Sequence, residues 1–389
     1  MRSVKLCIAV TSLAWHHAAS SGALPPPTGP YHVGLQKHAV PVLNTADPFW
    51  PNNISTSFLV TVFYPTEQEP EARDLSRPYL DPTSAAMYEA LYNLTAGRLA
   101  TITSPGLIPD AKPLDLDQDQ VSSPPTLFFG PGGGGPMAEC YTILLADLAS
   151  HGYTVLAMDH PYEQPFVRYP NGTGSARVND SLALFEYLPT LETKLKEAGG
   201  RHSDFQLNQT HIGVFGHSLG GSTAAATLLA DQGPQRRFRA GMNIDGTFFG
   251  PAGASDNKTD TDVRRPFMIM GFEGHGTRYN ATSPVSDPTW PAFASHQQTA
   301  YWRWINVKGA LHHDFSDIAY WKTLVPELRD DRLGPIGGKR LVEVLRTFVR
   351  VFFDGTLLGR TEAAALLDEG VNADWPEKIW VGGGDGVKV

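Results

Sequence analysis

Residues 211–220 have the sequence HIGVFGHSLG, in which an apolar run is followed by the pattern Gly-x-Ser-x-Gly. The apolar run predicts a buried strand, and the Ala-rich stretch that follows Gly220 predicts a helix. A Gly-x-Ser-x-Gly pattern between a strand and a helix is typical of a nucleophile elbow, a sharp turn that holds the serine oxygen outward. Glycines are needed there because the backbone segments pack closely. The stretch therefore predicts a strand-turn-helix unit with Ser218 as its nucleophile.

The rest of the chain shows a pattern of predicted strands and helices that is consistent with this unit. Two early segments alternate β-branched and aromatic residues, as antiparallel strands do. From Pro125 onward short apolar strands alternate with helices, which indicates an α/β protein with a mostly parallel central sheet and helices on both faces. The predicted strands are 32–43, 56–64, 126–129, 153–159, 211–215, 240–244, 266–271 and 305–309, and the predicted helices are 137–151, 180–198 and 339–353.

A segment rich in Pro, Asp and Gly, residues 67–123, separates the early strands from this alternation. One amphipathic stretch interrupts it, for which Ser84 is the predicted N-cap, with Met87, Leu91 and Leu94 on one face. Two interpretations remain open at this stage. The helix is either a lid inserted over an active site or a surface helix that packs its apolar stripe on the core.

The N-terminus predicts export. Residues 1–23 combine a basic start, a short apolar run and small residues, as a cleavable signal peptide does. Residues 24–389 are then a single catalytic domain, and no later run is long enough to span a bilayer. Seven Asn-x-Ser/Thr sequons support a secreted, extracellular glycoprotein. The sequons begin at Asn53, Asn93, Asn171, Asn179, Asn208, Asn257 and Asn280.

Composition restricts the remaining function classes. With 389 residues, of which 41% are hydrophobic, the chain can bury a large core. Its formal charge of -9 argues against nucleic acid as a partner. Cys7 lies in the signal segment, which leaves the mature chain with Cys140 and no internal disulfide. Cys140 is predicted to be a buried apolar residue rather than a nucleophile.

A serine nucleophile requires a histidine base and a carboxylate that orients the imidazole. In this fold class the chain order is serine, acid, histidine, which leaves His275, His296, His312 and His313 as candidate bases. His312 is favoured because residues 308–311 end the last predicted strand and bring the next residue to the sheet edge where such sites lie. His313 and His275 remain alternatives.

Two carboxylates compete for the role of the triad acid. Asp245 ends the predicted strand 240–244, and Glu273 follows the predicted strand 266–271. Both positions lie at the catalytic edge of a parallel sheet, so the pattern alone leaves Asp245 and Glu273 open.

The glycine-rich run 130–136 lies after an early strand and before a helix, where an oxyanion hole is expected. Leu219, directly after the nucleophile, is expected to supply one N–H donor. The run lacks the Lys-Ser/Thr ending of a phosphate-binding loop. No group of His, Cys, Asp or Glu has the sequence spacing of a metal site, so the expected chemistry uses no metal and no cofactor.

Four ordered motifs together resemble the secreted platelet-activating-factor acetylhydrolase family of the α/β-hydrolase superfamily. The resemblance extends over most of the chain, from the second strand to the last helix. The motifs are residues 146–153 (ADLASHGY), 215–221 (FGHSLGG), 237–245 (RFRAGMNID) and 309–317 (GALHHDFSD).

The resemblance implies a catalytic triad of Ser218, Asp245 and His312, with oxyanion donors at Leu219 and about Gly134. It also implies a cofactor-free enzyme that removes short or oxidised acyl chains from the 2-position of glycerophospholipids. The expected partner is a small-molecule or phospholipid ester, met at a lipid surface in the second case. A general carboxylesterase or polyester hydrolase is the alternative. The chain departs from the family's usual His-Gly pair in the oxyanion loop, where it has two glycines at 132 and 133.

Overall fold

A ten-stranded mixed sheet forms the centre of the protein. The computed structural model describes residues 22–42, 56–114, 124–160, 175–197, 204–253, 260–277, 287–370 and 372–386. The strand order is β10-β9-β8-β7-β6-β4-β5-β2-β1-β3. In this order the strands are β1 His32–Val42, β2 Thr56–Thr66, β3 Leu107–Pro109, β4 Thr126–Gly130, β5 Thr154–Asp159, β6 Ile212–His217, β7 Phe238–Ile244, β8 Phe267–Phe272, β9 Tyr301–Val307 and β10 Lys378–Asp385.

The central strands β5, β4, β6, β7, β8 and β9 run parallel to one another, as the βαβ pattern predicts. Antiparallel pairs extend the sheet at each side, through β2 and β1 at one end and β10 at the other. The carboxyl ends of β6, β7, β8 and β9 therefore meet at one edge. This edge carries the loops in which the sequence places its candidate site.

Helices cover both faces of the sheet, and each face has its own apolar core. Successive side chains of a strand point to opposite faces of the sheet, so Leu127 and Phe129 belong to one core and Phe128 to the other. One face packs α2, α3, α7 and α8, and the other packs α4, α5 and α6. The helices are α1 Ala72–Leu75, α2 Pro82–Leu91, α3 Thr142–Ser150, α4 Ser175–Lys196, α5 Leu219–Ala230, α6 Thr289–His296, α7 Ile318–Leu324 and α8 Gly338–Leu358.

The predicted fold class is confirmed, and the differences in detail have physical causes. The 137–151 segment divides into a 3₁₀ turn at Ala138–Tyr141 and the helix α3, and Cys140 is buried there as predicted. Strand β9 begins at Tyr301, four residues before its predicted start. Strand β3 is too short for a periodic pattern, and the glycine-rich β10 has little strand propensity of its own.

The prediction for α2 is wrong in its N-cap. Asp81 caps the helix, because its side chain accepts the Thr83 N–H at 2.9 Å, and Ser84 lies inside the helix and is buried. The contact face also differs, since Leu91 is exposed and Tyr88 packs edge-on against Trp321 with ring centroids 5.6 Å apart. These contacts favour the interpretation of α2 as a surface helix packed on the core.

The predicted signal segment lies almost wholly outside the described residues, and secretion stays a prediction. Within the described part of the chain, no helix is long and apolar enough to cross a membrane.

Three sequons fall on residues whose burial is described. Asn93 and Asn179 are exposed, whereas Asn208 is buried and its Oδ1 accepts hydrogen bonds from Thr210 and His211. Asn208 is therefore a poor acceptor for a glycan.

The elbow between β6 and α5 depends on glycines that meet backbone atoms. A Cβ at Gly216 would lie 2.3 Å from the carbonyl oxygen of Gly130, and one at Gly220 would lie 1.9 Å from the same oxygen. Both distances are far below van der Waals contact, so the turn can approach β4 only through residues without a side chain. The motif's glycines therefore set how closely the elbow sits against the loop after β4.

Replacing Gly220 by alanine tests this constraint. Inside a helix the change normally stabilises a protein by up to about 1 kcal/mol, but here we expect a loss of about 3 kcal/mol through overpacking. Gly233→Ala is the matched control, because nothing lies within 4 Å of its Cβ position, and it should stay within about 0.5 kcal/mol of the wild type. Urea unfolding measures both, and equal midpoints for the two variants would contradict the argument.

Candidate active site

Ser218 occupies a strained turn between β6 and α5. Its backbone has φ 55° and ψ −123°, a conformation that residues with a side chain rarely adopt. The Ser218 N–H donates to the carbonyl oxygen of Ile244 at 2.8 Å, which ties the turn to the end of β7. Leu219 begins α5, so its N–H is one of the helix's first donors and has no acceptor within the helix. An anion placed near Ser218 would face this donor and the positive end of the helix dipole.

His312 and Asp245 complete a chain of hydrogen bonds with Ser218. The Ser218 hydroxyl lies 3.1 Å from Nε2 of His312, and Nδ1 of His312 lies 2.5 Å from Oδ2 of Asp245. Asp245 is fully buried and His312 only partly so, which leaves the serine side of the imidazole accessible. In this arrangement the imidazole donates Nδ1–H to the carboxylate and turns its free Nε2 lone pair toward the serine.

A second strained turn presents the Asp245 carboxylate. Asp245 has φ 55°, and the neighbouring Gly246 is required because its Cβ would lie 2.0 Å from the Ser218 carbonyl oxygen. Asn243 braces this turn from the buried end of β7. Its side chain accepts the Gly246 N–H at 2.9 Å and donates to the Gly246 carbonyl at 2.8 Å. Asn243 lies within the motif 237–245, but no sequence signal assigned it a role.

The other oxygen of Asp245 is bound by a second histidine. Oδ1 accepts the Phe272 N–H at 3.0 Å and lies 2.7 Å from Nδ1 of His275, whose Nε2 lies 2.9 Å from Asp287. Burial alone would lower the pKa of His275, but its hydrogen bonds to Asp245 and Asp287 and their charges raise it to about 9. Burial alone would raise the pKa of Asp245, but the two histidines hold it well below its usual range.

His217 connects the elbow with the loop that carries His312. Its Nε2–H donates to the His312 carbonyl oxygen at 3.0 Å, and its Nδ1 accepts from the Tyr141 hydroxyl at 2.7 Å. The same hydroxyl accepts the Gly132 N–H at 3.3 Å. Burial lowers the pKa of His217 well below its usual value, which agrees with a neutral ring that donates from one nitrogen only. The Tyr141 hydroxyl and the neutral His217 ring thus connect the backbone of Gly132 in the glycine loop with the backbone of His312.

The glycine loop after β4 lies against the nucleophile. A Cβ at Gly132 would lie 3.4 Å from Cβ of Ser218, and one at Gly133 would lie 2.8 Å from Cδ2 of Leu219. Gly134 has φ +60° and an open Cβ position. The buried Arg177 donates to the carbonyl oxygens of Pro131 at 2.6 Å and Gly132 at 3.4 Å. These bonds fix the carbonyls of Pro131 and Gly132 on the buried guanidinium, and no sequence signal pointed to Arg177.

The remaining candidates of the sequence analysis have other contacts. Glu273 accepts the Gly309 N–H at 3.0 Å, which supports the loop that leads to His312. His313 turns toward Asp330, with Nδ1 2.5 Å from Oδ2. His296 ends α6. The structure therefore brings Ser218, Asp245 and His312 together and leaves these three side chains outside that hydrogen-bonded chain.

Among the described residues, the side chains near enough to share a metal ion are His217, Asp245 and His312, within 4.8 Å of one another. The sequence spacing did not reveal this group. Its donor atoms are engaged with one another or with neighbouring groups, since Asp245 and His312 bond each other and His217 bonds Tyr141 and the His312 carbonyl. Because each donor has a hydrogen-bonding partner, the arrangement fits a catalytic triad and a bracing histidine without a metal.

The sheet order, the elbow and the Ser-His-Asp geometry define an α/β-hydrolase. Among solved structures, the chain is similar to a ferulic acid esterase from Streptomyces cinnamoneus with a TM-score of 0.68 and 24% identity, covering 93% of this chain and 100% of that one. At this identity the likeness establishes the fold.

The predicted family resemblance is confirmed by two kinds of comparison. The model of the family "Platelet-activating factor acetylhydrolase, isoform II" matches residues 202–327. A "Probable 1-alkyl-2-acetylglycerophosphocholine esterase" of Arthroderma benhamiae is 24% identical over 97% of this chain and 98% of its own length. A "Platelet-activating factor acetylhydrolase" of Cavia porcellus is 25% identical over 50% of this chain and 49% of its own. The chain is thus similar to platelet-activating factor acetylhydrolases, over residues 202–327 by the family model and over nearly its full length by the Arthroderma benhamiae protein.

The pKa of His275 predicts how the protein's stability depends on pH. A pKa raised from 6.5 to about 9 means that the folded state binds this proton more tightly than the unfolded state. The contribution is fully present below pH 6.5 and is lost as the pH rises through 9, to a total of about 3 kcal/mol. Urea unfolding between pH 6 and 10 should show this loss in the wild type and a flatter profile in His275→Gln. Parallel profiles would contradict the assignment.

Proposed function

We propose that this chain is a serine esterase that releases short acyl groups, with a 1-alkyl-2-acetylglycerophosphocholine as its substrate. The observation that carries the esterase part is the hydrogen-bonded chain from Ser218 through His312 to Asp245 at the end of a strained elbow. The substrate is supported by the Arthroderma benhamiae relative, because the two chains match over nearly their full lengths. The mechanism and the substrate are separate parts of the proposal, and each has its own test.

In the proposed mechanism, His312 takes the proton of Ser218 while the serine oxygen attacks the acyl carbonyl. The oxyanion that forms accepts hydrogen bonds from the N–H of Leu219 and from an N–H of the glycine loop, near Gly134. His312 then passes the proton to the departing alkoxide, which leaves an acyl group on Ser218. A water molecule that loses its proton to His312 hydrolyses this acyl-enzyme and restores the free serine.

A serine-reactive fluorophosphonate tests the nucleophile. We expect covalent labelling of the wild type at Ser218 and none of Ser218→Ala, because labelling requires a serine activated by a base. Ser222→Ala is the matched control one turn further along α5. Ser222 is buried and its hydroxyl accepts the Phe249 N–H at 2.9 Å, so this variant should label like the wild type. Mass spectrometry identifies the labelled residue, and a folded wild type without label would refute the mechanism.

The same pair of proteins tests the substrate. Wild type and Ser218→Ala are compared on a 1-alkyl-2-acetylglycerophosphocholine, on p-nitrophenyl acetate and on a long-chain ester. Serine-dependent turnover with the highest kcat/KM for the acetylated phospholipid supports the proposal. Turnover of simple or long esters with the phospholipid untouched would keep the mechanism and replace the substrate, in favour of a general carboxylesterase or polyester hydrolase.

The two candidate acids are distinguished by amide substitutions. Asp245→Asn should lower kcat by about 10³ to 10⁴, as the equivalent change does in serine proteases, because the base is then held in the wrong tautomer. Glu273→Gln keeps an oxygen that can accept the Gly309 N–H and should lower kcat by less than about tenfold. Steady-state kinetics on p-nitrophenyl acetate measure both. The reverse order of effects would assign the acid to Glu273.

A further inference from the structure

Two histidines and two carboxylates alternate behind the serine. Asp245 contacts His312 through Oδ2 and His275 through Oδ1, and His275 contacts Asp287 through its second nitrogen at 2.9 Å. The proposed triad needs only the first of these contacts. The chain of contacts therefore extends two residues beyond the groups that the reaction requires.

The geometry fixes the charge of His275. Its Nδ1 lies 2.7 Å from Asp245 and its Nε2 lies 2.9 Å from Asp287. An ionised carboxylate can only accept hydrogen bonds, and a neutral imidazole has a single N–H. Both contacts are therefore hydrogen bonds only if His275 is an imidazolium. His217 provides the contrast, because it faces one carbonyl acceptor and one hydroxyl donor and satisfies both as a neutral ring.

The His275 ring is held on its face as well as at its nitrogens. It stacks on Trp290 with ring centroids 3.8 Å apart and an interplanar angle of 19°. The Trp290 indole N–H donates to the Gly246 carbonyl at 2.7 Å, directly beside Asp245. The His275 carbonyl accepts the side-chain N–H of Asn306 at 3.0 Å. A ring fixed in this way holds the Asp245 carboxylate in one orientation toward His312.

We infer that His275 is a positioning residue for Asp245, that Asp287 is its counter-ion, and that this pair limits how strongly Asp245 holds a proton on His312. The inference rests on the proposed function of Ser218, Asp245 and His312. A positive charge on the far side of the Asp245 carboxylate weakens the attraction between that carboxylate and a protonated His312. Asp287 lies beyond His275 and offsets part of this effect. Removing the charge of His275 should therefore strengthen the attraction between Asp245 and a protonated His312.

Among the described residues, the other ionisable groups around His312 and His275 have partners of their own. His312 faces Asp245, the neutral His217 with ring centroids 4.7 Å apart, and His313 at 5.9 Å, which is paired with Asp330. His275 faces Asp245, Asp287 and the rings of Phe272 and Trp290. Glu273, next in the chain to Phe272, binds the Gly309 N–H. Among the residues that the structure describes, the full positive charge nearest to the Asp245–His312 contact is therefore that of His275.

The test compares His275→Gln with the double variant His275→Gln/Asp287→Asn. The single change removes a positive charge and leaves Asp287 uncompensated, so the pKa of His312 should rise by about one pH unit, the size expected for a charge several ångströms away in a protein. The double variant also loses the negative charge of Asp287, so the pKa of His312 should fall back by more than half of that rise. This is expected although the double variant has lost more contacts than the single one. A purely structural role predicts the opposite ranking, with the double variant further from the wild type.

Two readouts measure the pKa of His312. One is the acid limb of kcat/KM for p-nitrophenyl acetate, and the other is NMR titration of protein labelled with ¹³C at histidine Cε1, assigned with a His312→Gln variant. Because NMR requires no turnover, the two proposals fail separately. A wild type that hydrolyses no ester would refute the proposed function. Turnover with the same His312 pKa in the wild type and both variants would overturn the inference.

Two further variants keep the test decisive. Thr289→Val removes the hydrogen bond that the uncharged Thr289 hydroxyl donates to Asp287 at 2.6 Å and changes no formal charge, so the pKa of His312 should stay within about 0.2 units. Asp287→Asn leaves the His275 ring in place and should lower the pKa of His275 itself by at least one unit. If His275→Gln does not fold, this titration decides the matter. A His275 that is already neutral at pH 7.5 in the wild type would overturn the inference.

Discussion

The approach of the Gly130 carbonyl to the elbow is the constraint on which the site depends. Side chains at Gly216 and Gly220 would overlap this oxygen, so the end of β4 and the turn at Ser218 are in direct backbone contact. The strained conformation of Ser218 persists because its surroundings fix it, through the bond to Ile244 on one side and α5 on the other. The glycine loop at Gly132 and the turn at Gly246, beside Asp245, both pack against the same Ser218 turn.

A part of this arrangement is predictable from sequence because it is local. The elbow is a contiguous motif, so Ser218 follows from the pattern alone. The end of a parallel strand identifies the edge of the sheet, which favours His312 but leaves His313 and His275 as alternatives. The acid does not follow from the pattern, since Asp245 and Glu273 both follow strands that end at the same edge. Turn geometry separates them. Asp245 is turned toward His312 at a positive φ, whereas Glu273 is turned toward the backbone of Gly309.

The braces of the site are not predictable from a single sequence. Asn243, Arg177 and Tyr141 act through contacts with residues 3 to 76 positions away. Arg177 and Tyr141 lie outside the four motifs, and Asn243 lies in one that does not reveal its role. Each of the three satisfies backbone or ring atoms that come together only in the folded sheet. The misplaced cap of α2 has a different origin. Both Asp81 and Ser84 are good N-cap residues, but Pro82 directly after Asp81 is a local signal, because proline is favoured at the first position of a helix.

Three histidines near Ser218 illustrate how partners rather than residue type set protonation. His217 faces a hydroxyl and a carbonyl and is neutral, whereas His275 faces two carboxylates and is charged. His312 lies between these cases, with one carboxylate on one nitrogen and a hydroxyl on the other. A general base must alternate between the two states during turnover, and such a residue works best when neither state is strongly favoured. The neutral His217 ring contacts the backbone of His312, and the charged His275 ring contacts Asp245, the carboxylate partner of His312. The contacts of His312 are thus intermediate between those of His217 and His275.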